Sequence, residues 1–424
     1  MALIRQFSRG ALFCVLLAGT AAAQTPELHG YVKFFAHPNL RTSRFDRAGA
    51  RLQATLSHHA GDHVSGFASF DVNVEETRKP GSDERSAATE LYPVELYVQF
   101  DWEKFALRVG KQFIFWGKTD WINPTDNITP WDFANIDAEL EDYRLAVTGL
   151  KANWYPGNWD VEMVVTPVFQ PNRIPMDIPE TIGNIPTHVQ KDLPGFNVKN
   201  MQYGVRASSY VSGFDFSLSY WNGFDLFPTL YASLPPTSDP GVNTLMFQYT
   251  YYRMQVFGFD FARSFGKWMI KGEGAYFRTA DAAGSDPYIT NPHFKYVLGV
   301  DWYPSDDVVI NGQFIQDILF KYSRNDELLQ LGPFATEFHD VPDKVTNSAS
   351  LRAQYDASDY WNVQLIGVVN LRDRDFFLLP IVNYSPYDGV NVYAGATTFF
   401  GPEKSPFGRT KEYSRAFLEV KYSY

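Results

Sequence analysis

The sequence contains one cysteine in 424 residues, Cys14, and it lies close to the start of the chain. A mature chain beginning after it would have no disulfide, no thiol nucleophile and no thiolate metal ligand. No later stretch approaches the roughly 18 consecutive apolar residues that a transmembrane helix requires. Lys and Arg total 37 against 48 Asp and Glu, a net charge of -11, so we expect no nucleic-acid partner.

Motifs for catalysis are missing as well. The sequence has no Gly-x-Ser-x-Gly nucleophile motif and no glycine-rich phosphate loop. Three of its histidines, His58, His59 and His63, cluster at a predicted turn, where solvated side chains are the usual finding. We therefore predict that the protein is not an enzyme and needs no cofactor or metal.

The first residues have the pattern of a secretory signal. Arg5 and Arg9 supply positive charge, residues 11–19 form a short apolar run, and small residues lead up to Ala23. We expect cleavage near Ala23, which leaves residues 24–424 as one domain without a linker. Residence in a membrane would then depend on strands.

The end of the chain alternates with a period of two, which places alternate side chains on opposite faces of a strand. Arg415, Glu419 and Lys421 lie on one face, and the apolar residues lie on the other. An aromatic residue ending such a strand is typical of outer-membrane barrels and should be recognised by the barrel assembly machinery. We predict this assembly signal at Leu418, Val420, Tyr422 and Tyr424.

Short and long connections alternate along the rest of the chain, as in bacterial barrels with short periplasmic turns and long outer loops. The eight short turns are predicted at residues 59–62, 103–104, 156–158, 212–213, 265–267, 304–307, 357–359 and 385–388. Tryptophans flank most of these turns, as expected of an interfacial girdle. The fold class is therefore all-β: a transmembrane antiparallel β-barrel of about 18 strands with short periplasmic turns and long extracellular loops.

Two stretches fit this pattern less simply. Residues 244–264 contain no turn residue between Tyr252 and Met254, so we predict one long strand there. Strict alternation in residues 105–115 places Lys111 on the lipid face, at a cost of roughly 2–4 kcal/mol near the midplane. A β-bulge at Gly110 would relieve that cost.

The polar face of each strand predicts the wall of the lumen. Both signs of charge occur there, so the wall is either an aqueous pore lining or a set of ion pairs that plugs a structural barrel. The lumen-lining residues that we predict are Asp101, Lys151, Glu162, Arg206, Asp260, Lys271, Glu273 and Arg352.

The connection over residues 117–142 is strongly acidic, with seven carboxylates against Lys118 alone. Folded inward, it would be a constriction that selects by charge; on the outside it would be a solvated loop, able to hold a hard cation. The ligand spacing is too loose for us to predict a metal site. The residues predicted to form the constriction and to select by charge are Asp120, Asp126, Asp132, Asp137 and Arg108.

The longest connection, residues 170–200, contains five prolines that argue against regular strands and favour an extended lid. It also carries an apolar set. This set either packs at the lumen mouth, where it could contact an apolar solute, or packs on other loops. Its members are Ile174, Met176, Ile178, Ile182, Ile185 and Val189.

Three segments are similar to a known family: residues 108–126 (RVGKQFIFWGKTDWINPTD), residues 257–277 (FGFDFARSFGKWMIKGEGAYF) and the close, with GATTFFGPEKSPFG and FLEVKYSY. They resemble the outer-membrane barrels catalogued as domain of unknown function 1302. More distantly, the chain is similar to alginate-export and substrate-specific porin barrels. The resemblance implies an outer-membrane barrel in which transport is expected and the solute is unspecified.

Together these patterns predict an outer-membrane porin or channel that passes a small solute passively through a loop-constricted lumen. The alternative is an outer portal that exports a polymer or lipid with a periplasmic or inner-membrane partner. A structural barrel sealed by ion pairs is a third interpretation. The expected partners are outer-membrane lipids, the assembly machinery and a small-molecule solute, with a second copy of the chain or an export-system component as further candidates.

Overall fold

The computed structural model describes residues 25–42, 44–78, 84–120, 122–133, 138–139, 143–174, 178, 180–182, 185–233, 244–338 and 341–424, with the backbone alone for residues 332–338. The predicted signal and its cleavage near Ala23 lie outside these residues, as does Asp137. They stay predictions.

Within the described residues, eighteen strands form one closed antiparallel sheet. The first nine in chain order are β1 (Glu27–Pro38), β2 (Phe45–His59), β3 (Val64–Arg78), β4 (Arg85–Trp102), β5 (Phe105–Gln112), β6 (Val147–Trp154), β7 (Trp159–Thr166), β10 (Gln202–Val211) and β11 (Phe214–Phe224). The other nine are β14 (Arg253–Phe265), β15 (Trp268–Arg278), β16 (His293–Ser305), β17 (Val308–Leu319), β18 (Val345–Ser358), β19 (Trp361–Asn370), β20 (Asp375–Tyr387), β21 (Val390–Phe400) and β22 (Arg415–Ser423).

Each barrel strand pairs with the barrel strands before and after it, and the last strand closes on the first. The closing register joins β22 to β1 from Tyr31↔Ser423 to Ala36↔Leu418. Tyr424 extends this seam, because its backbone N–H donates to the Gly30 carbonyl at 3.0 Å and its carbonyl accepts from Gly30. The predicted barrel of about 18 strands is confirmed.

The outer face of the barrel is apolar. Leu418, Val420 and Tyr422 on β22, and Tyr424 directly after it, are exposed on this face, while Glu419 on the other face is fully buried. The tryptophans predicted at the turns are exposed at strand ends: Trp102, Trp154, Trp159, Trp268, Trp302 and Trp361. An exposed apolar surface with an aromatic border is typical of barrels that contact lipid.

All eight predicted short turns join consecutive barrel strands at one end of the molecule, which we call the short-turn end. Positive φ angles at or next to these turns occur at Ser212 and at Gly61, Gly157, Gly213, Gly266 and Gly389; at the glycines the absence of a Cβ makes that conformation accessible. The long connections lie at the opposite, long-loop end.

Two sequence-based expectations about the long loops are wrong. Residues 244–264 form two strands, because β13 (Leu245–Thr250) leaves the barrel and only β14 belongs to it. The proline-rich connection also contains strands, β8 (Thr181–Ile182) and β9 (Ile185–Asp192). These three strands and β12 (Thr229–Ser233) form a separate four-stranded sheet, in which β13 and β9 run parallel.

This small sheet has its own apolar core. Phe247, Leu245 and Ala232 are buried there, with Ile178, Ile182 and Ile185 packed against them. For these three members of the apolar set, packing of loop on loop is therefore the interpretation that the structure supports.

The described residues include two α-helices, both in long loops: α1 (Arg324–Phe338) and α2 (Pro406–Arg409). Among the described residues, neither helix has the length and apolar character needed to cross a membrane.

Candidate functional site

The connection between β5 and β6, residues 113–146, enters the barrel; we call it the inner loop. Its Ile114, Trp116 and Ile128 are buried in one cluster with residues of the wall. Those wall residues share the inward face with lumen charges, because they lie an even number of positions from Glu162, Asp260 or Glu273. They are Val164 on β7, Val256 on β14 and Ala275 on β15.

Glu273 on β15 anchors the first part of the inner loop. Its Oε1 accepts hydrogen bonds from the Thr119 N–H at 2.6 Å, from Thr119 Oγ1 at 2.8 Å and from the Lys118 N–H, while Oε2 accepts from Thr125 Oγ1 at 3.0 Å. The carboxylate is buried, so these donors replace water. One wall residue thereby fixes two points of the loop.

Glycines provide the space for this anchorage. Gly117 has a φ of +99°, and a Cβ there would collide with the Glu273 carboxylate. Gly258 on β14 faces the loop, where a Cβ would lie 2.7 Å from Thr125 Cγ2. The loop approaches the wall closely because neither position carries a side chain.

The loop then reaches wall strands far from β5 and β6. Asp120 contacts Lys271 Nζ on β15 at 2.6 Å and accepts from Gln313 Nε2 on β17 at 3.0 Å. Further along, Glu139 pairs with Lys421 Nζ on β22 at 2.7 Å. The inner loop therefore contacts the wall on several sides and narrows the lumen.

The described acids of the loop are compensated by cations from outside the acidic segment. Asp126 pairs with Arg144, and Asp132 pairs with Arg173 Nη1 at 2.8 Å. Burial raises the pKa of Asp126 to about 6, although the Arg144 charge acts in the opposite direction. Counting charges within residues 117–142 alone therefore overstated the negative charge of the loop.

A second ion network lies on the wall beside the anchor. Lys118 Nζ lies 3.0 Å from both Asp215 and Asp260, and Asp260 also pairs with Arg206 at 3.2 Å. Lys271 bridges Asp120 and Asp301, the latter at 3.0 Å. Charges of opposite sign thus alternate around the loop and hold it through several partners.

Comparison with known proteins agrees with this architecture. A family model described as "Protein of unknown function (DUF1302)" matches residues 47–365, which is more than half of the chain. The chain belongs to the DUF1302 family. The resemblance inferred from the three sequence segments is therefore confirmed. A comparison with curated protein sequences finds no match.

Solved structures show the same fold as this DUF1302 chain at low sequence identity. OccAB4 of Acinetobacter baumannii is 12% identical, with a TM-score of 0.53 over 95% of this chain and 99% of that chain. OccK7 (OpdD) of Pseudomonas aeruginosa is 11% identical, with a TM-score of 0.51 over 96% of this chain and 99% of that chain. Both comparisons support the barrel architecture.

The DUF1302 barrel brings most of the predicted lumen residues into contact with one another or with the inner loop. Glu162 accepts from Trp116 Nε1 at 2.6 Å and lies 3.8 Å from Lys151 Nζ. Asp101 and Arg352 bond instead to amide side chains: Asp101 accepts from Gln99, and Arg352 donates to Gln354 and Gln364.

Arg108 does not join the aspartates with which it was grouped. Its Nε donates to Gln99 Oε1 at 2.8 Å, and its guanidinium lies 4.2 Å from the centre of the Tyr97 ring. Among the described residues, its guanidinium donates to Gln99 and forms no hydrogen bond to Asp120, Asp126 or Asp132. A role for these residues in charge selection stays a prediction.

Sequence reasoning missed the partners that hold the loop. Thr119 and Thr125 gave no signal, because isolated threonines are common in loops. Arg144 could have been found, since it lies two residues after the acidic segment and a buried carboxylate needs a compensating charge.

Proposed function

We propose that the protein is an outer-membrane channel through which a small solute passes passively along a lumen narrowed by the inner loop. The observation that carries this proposal is the anchorage of the loop inside a closed barrel, through Glu273 and Asp120. A loop that crosses a polar lumen leaves a narrowed path whose charges act on the solute.

Three further features support the proposal. The apolar outer face with its tryptophans suits a membrane, and short turns at one end with long loops at the other are the arrangement of bacterial outer-membrane barrels. The similar folds of OccAB4 and OccK7 agree with it. Membership of the DUF1302 family does not specify a solute. The absence of catalysis stays part of the proposal.

The experiment that tests this function is the conductance of the purified protein in a planar bilayer. We expect discrete open steps in KCl and a reversal potential that reports on charge selection in the lumen. A correctly folded barrel that stays silent under all applied voltages would contradict passive passage.

A lysine on the outer face tests whether that face contacts lipid. Leu298 on β16 is exposed there, and Leu298→Lys should lower the free energy of unfolding in lipid vesicles by about 2–4 kcal/mol, because a charge near the midplane loses its hydration. Denaturant unfolding followed by tryptophan fluorescence measures this.

The matched control is Leu329→Lys, at an exposed leucine of α1 in a long loop. A lysine there stays in water, so the change should remain within about 0.5 kcal/mol. Equal effects of the two substitutions would contradict lipid contact at Leu298.

A further inference from the structure

Among the described residues, the half of β4 nearest the long-loop end, residues 85–95, pairs with a strand on one side only. β4 pairs with β3 along its whole length, from Arg78↔Arg85 to Val64↔Phe100. Its pairing with β5 begins only at Leu96↔Lys111 and runs to Trp102↔Phe105. Among the described residues, none forms a strand along residues 85–95 of β4 on the β5 side. A free strand edge in a barrel wall requires another way to satisfy its backbone.

The gap arises because neighbouring strands differ in length. β4 has 18 residues, whereas β5, β6 and β7 have 8 each. A β-bulge at Gly110, which would have relieved the cost of Lys111 on the lipid face, does not occur, because β5 keeps its register with β4 and β6. The irregularity lies in the β3–β4 pairing between Ser69 and Phe70. The barrel wall formed by β5, β6 and β7 is therefore shorter than the neighbouring strand β4.

We call this gap beside residues 85–95 of β4 the notch, and two hydrogen bonds between described residues close its end nearest β5. Lys111 Nζ donates to the Pro93 carbonyl at 2.6 Å, and the Phe113 N–H donates to Glu95 Oε1 at 3.0 Å. The ammonium group of Lys111 therefore points to the free edge of β4, which accounts for a lysine at this position.

A cavity of about 570 Å³ lies at the notch. On its lumen side it is lined by Arg47, Arg51 and Asn73, and on its other side by residues 89–94 of β4. Leu91 in that edge is 71% exposed, and its partner Val72 alternates with the inward Asp71 and Asn73, so Leu91 lies on the outer face. One cavity thus borders both the lumen and the outer face.

The lining combines guanidinium groups with aliphatic surface. Five cations contribute to it, against the carboxylates of Glu75, Glu90 and Asp132. Arg144 pairs with Asp126, yet its Nη1 is buried and has no hydrogen-bond partner among the described residues. A guanidinium has five N–H donors, so Arg144 can bind a further acceptor. The cations are Arg47, Arg51, Lys111, Arg144 and Arg173.

The apolar part of the lining lies toward the outer face and the inner loop: Leu91, Val94, Leu145 and Ala146. We propose that this notch is a lateral portal for an amphipathic solute with an anionic headgroup and an aliphatic chain. The headgroup binds among the arginines, and the chain leaves past Leu91 into the lipid. This inference rests on the proposed function, since it needs a barrel set in a membrane and a path in its lumen.

The test is photo-crosslinking in proteoliposomes with a twelve-carbon carboxylate that carries a diazirine at the end of its chain. We expect crosslinks at residues 89–94 of β4, and we expect dodecanoate to compete with them while dodecanol and butyrate do not. Val94→Trp, which fills the cavity from the free edge, should reduce this labelling about tenfold, equivalent to about 1.4 kcal/mol of binding.

The matched control is Val98→Trp on the same strand, in the half that pairs with β5. It should label as the native protein does. Leu145→Trp fills the cavity from the opposite side and replaces Val94→Trp in this test if Val94→Trp does not fold. Labelling that is equal in the filled variants, or that spreads over the outer face without competition by dodecanoate, would overturn the portal.

Conductance recorded on the same samples separates the two proposals. Open channels without labelling at β4 that dodecanoate reduces would support the channel and contradict the portal. Labelling that dodecanoate reduces, in a barrel that does not conduct, would support the binding cavity and contradict passive passage through the lumen. Crosslinks between copies at the notch, with no labelling by the probe, would show that a second copy covers it and would likewise overturn the portal.

Discussion

Single-channel conductance is expected to rise by a factor of about two or more in Glu273→Ala, because conductance follows the narrowest part of a pore and this substitution frees the inner loop. The Glu273 carboxylate accepts from Lys118, Thr119 and Thr125. Hydrogen bonds to a charged group contribute about 1.5–3 kcal/mol each, so their loss removes the main anchor of the loop.

The control for this experiment is Asp356→Ala. The Asp356 carboxylate accepts from the side chains of Asn362 and Gln354 on the wall, and among the described residues it forms no hydrogen bond to the inner loop. It removes a carboxylate without releasing the loop. A Glu273→Ala barrel that folds normally and conducts as the native protein does would contradict the constriction.

Replacing Asp120, Asp126 and Asp132 together with asparagine is expected to shift ion selectivity several-fold toward anions. Each aspartate compensates a cation, so the substitution removes the carboxylates that pair with Arg144 and Arg173 and one of the two that pair with Lys271. The reversal potential in a KCl gradient measures the change. Recording at pH 8 keeps the native Asp126 ionised, because its pKa is about 6.

The control removes two exposed carboxylates from long loops, with Asp326→Asn and Glu403→Gln. Selectivity should stay native in that variant. Asp120→Asn alone, at a partly exposed pair, provides a milder variant if the triple substitution does not fold. Reversal potentials equal to those of the native protein would remove the aspartates from charge selection.

The barrel was predictable from sequence because its signals are local. Period-two alternation identifies a strand with one apolar face, and the turn residues at the short-turn end fix where each hairpin reverses. All eight turns were found in this way, including Ser212-Gly213, where Gly213 has a φ of +79°. Strand number then followed from the turns.

Residues 244–264 show where local signals fail. Leu245, Phe247 and Tyr249 alternate as residues of a barrel strand would, yet they are buried in the separate four-stranded sheet. The break from β14 falls at Tyr251 and Tyr252, which carry no turn signal, and Tyr251 packs on Phe169 through a tertiary contact. Alternation predicts a strand but not the sheet to which it belongs.

The inner loop was predictable only in part, because the contacts that hold it join residues far apart in the sequence. Its acids were visible in the sequence, whereas Lys271 lies 151 positions from Asp120 and Glu273 lies 154 positions from Thr119. Whether an acidic loop folds inward depends on such distant partners and on glycines that make room for it. Sequence spacing alone carries neither piece of information.

We propose that the solute path runs past Asp120 inside the lumen, and a single cysteine at this position is the test. Asp120→Cys in a Cys14→Ser background gives one thiol, which a positively charged methanethiosulfonate reagent can modify during a bilayer recording. We expect the cation current to fall in steps as the reagent reacts, because each modification places a positive charge in the path. An unchanged current with the thiol fully modified, verified by mass spectrometry, would contradict it.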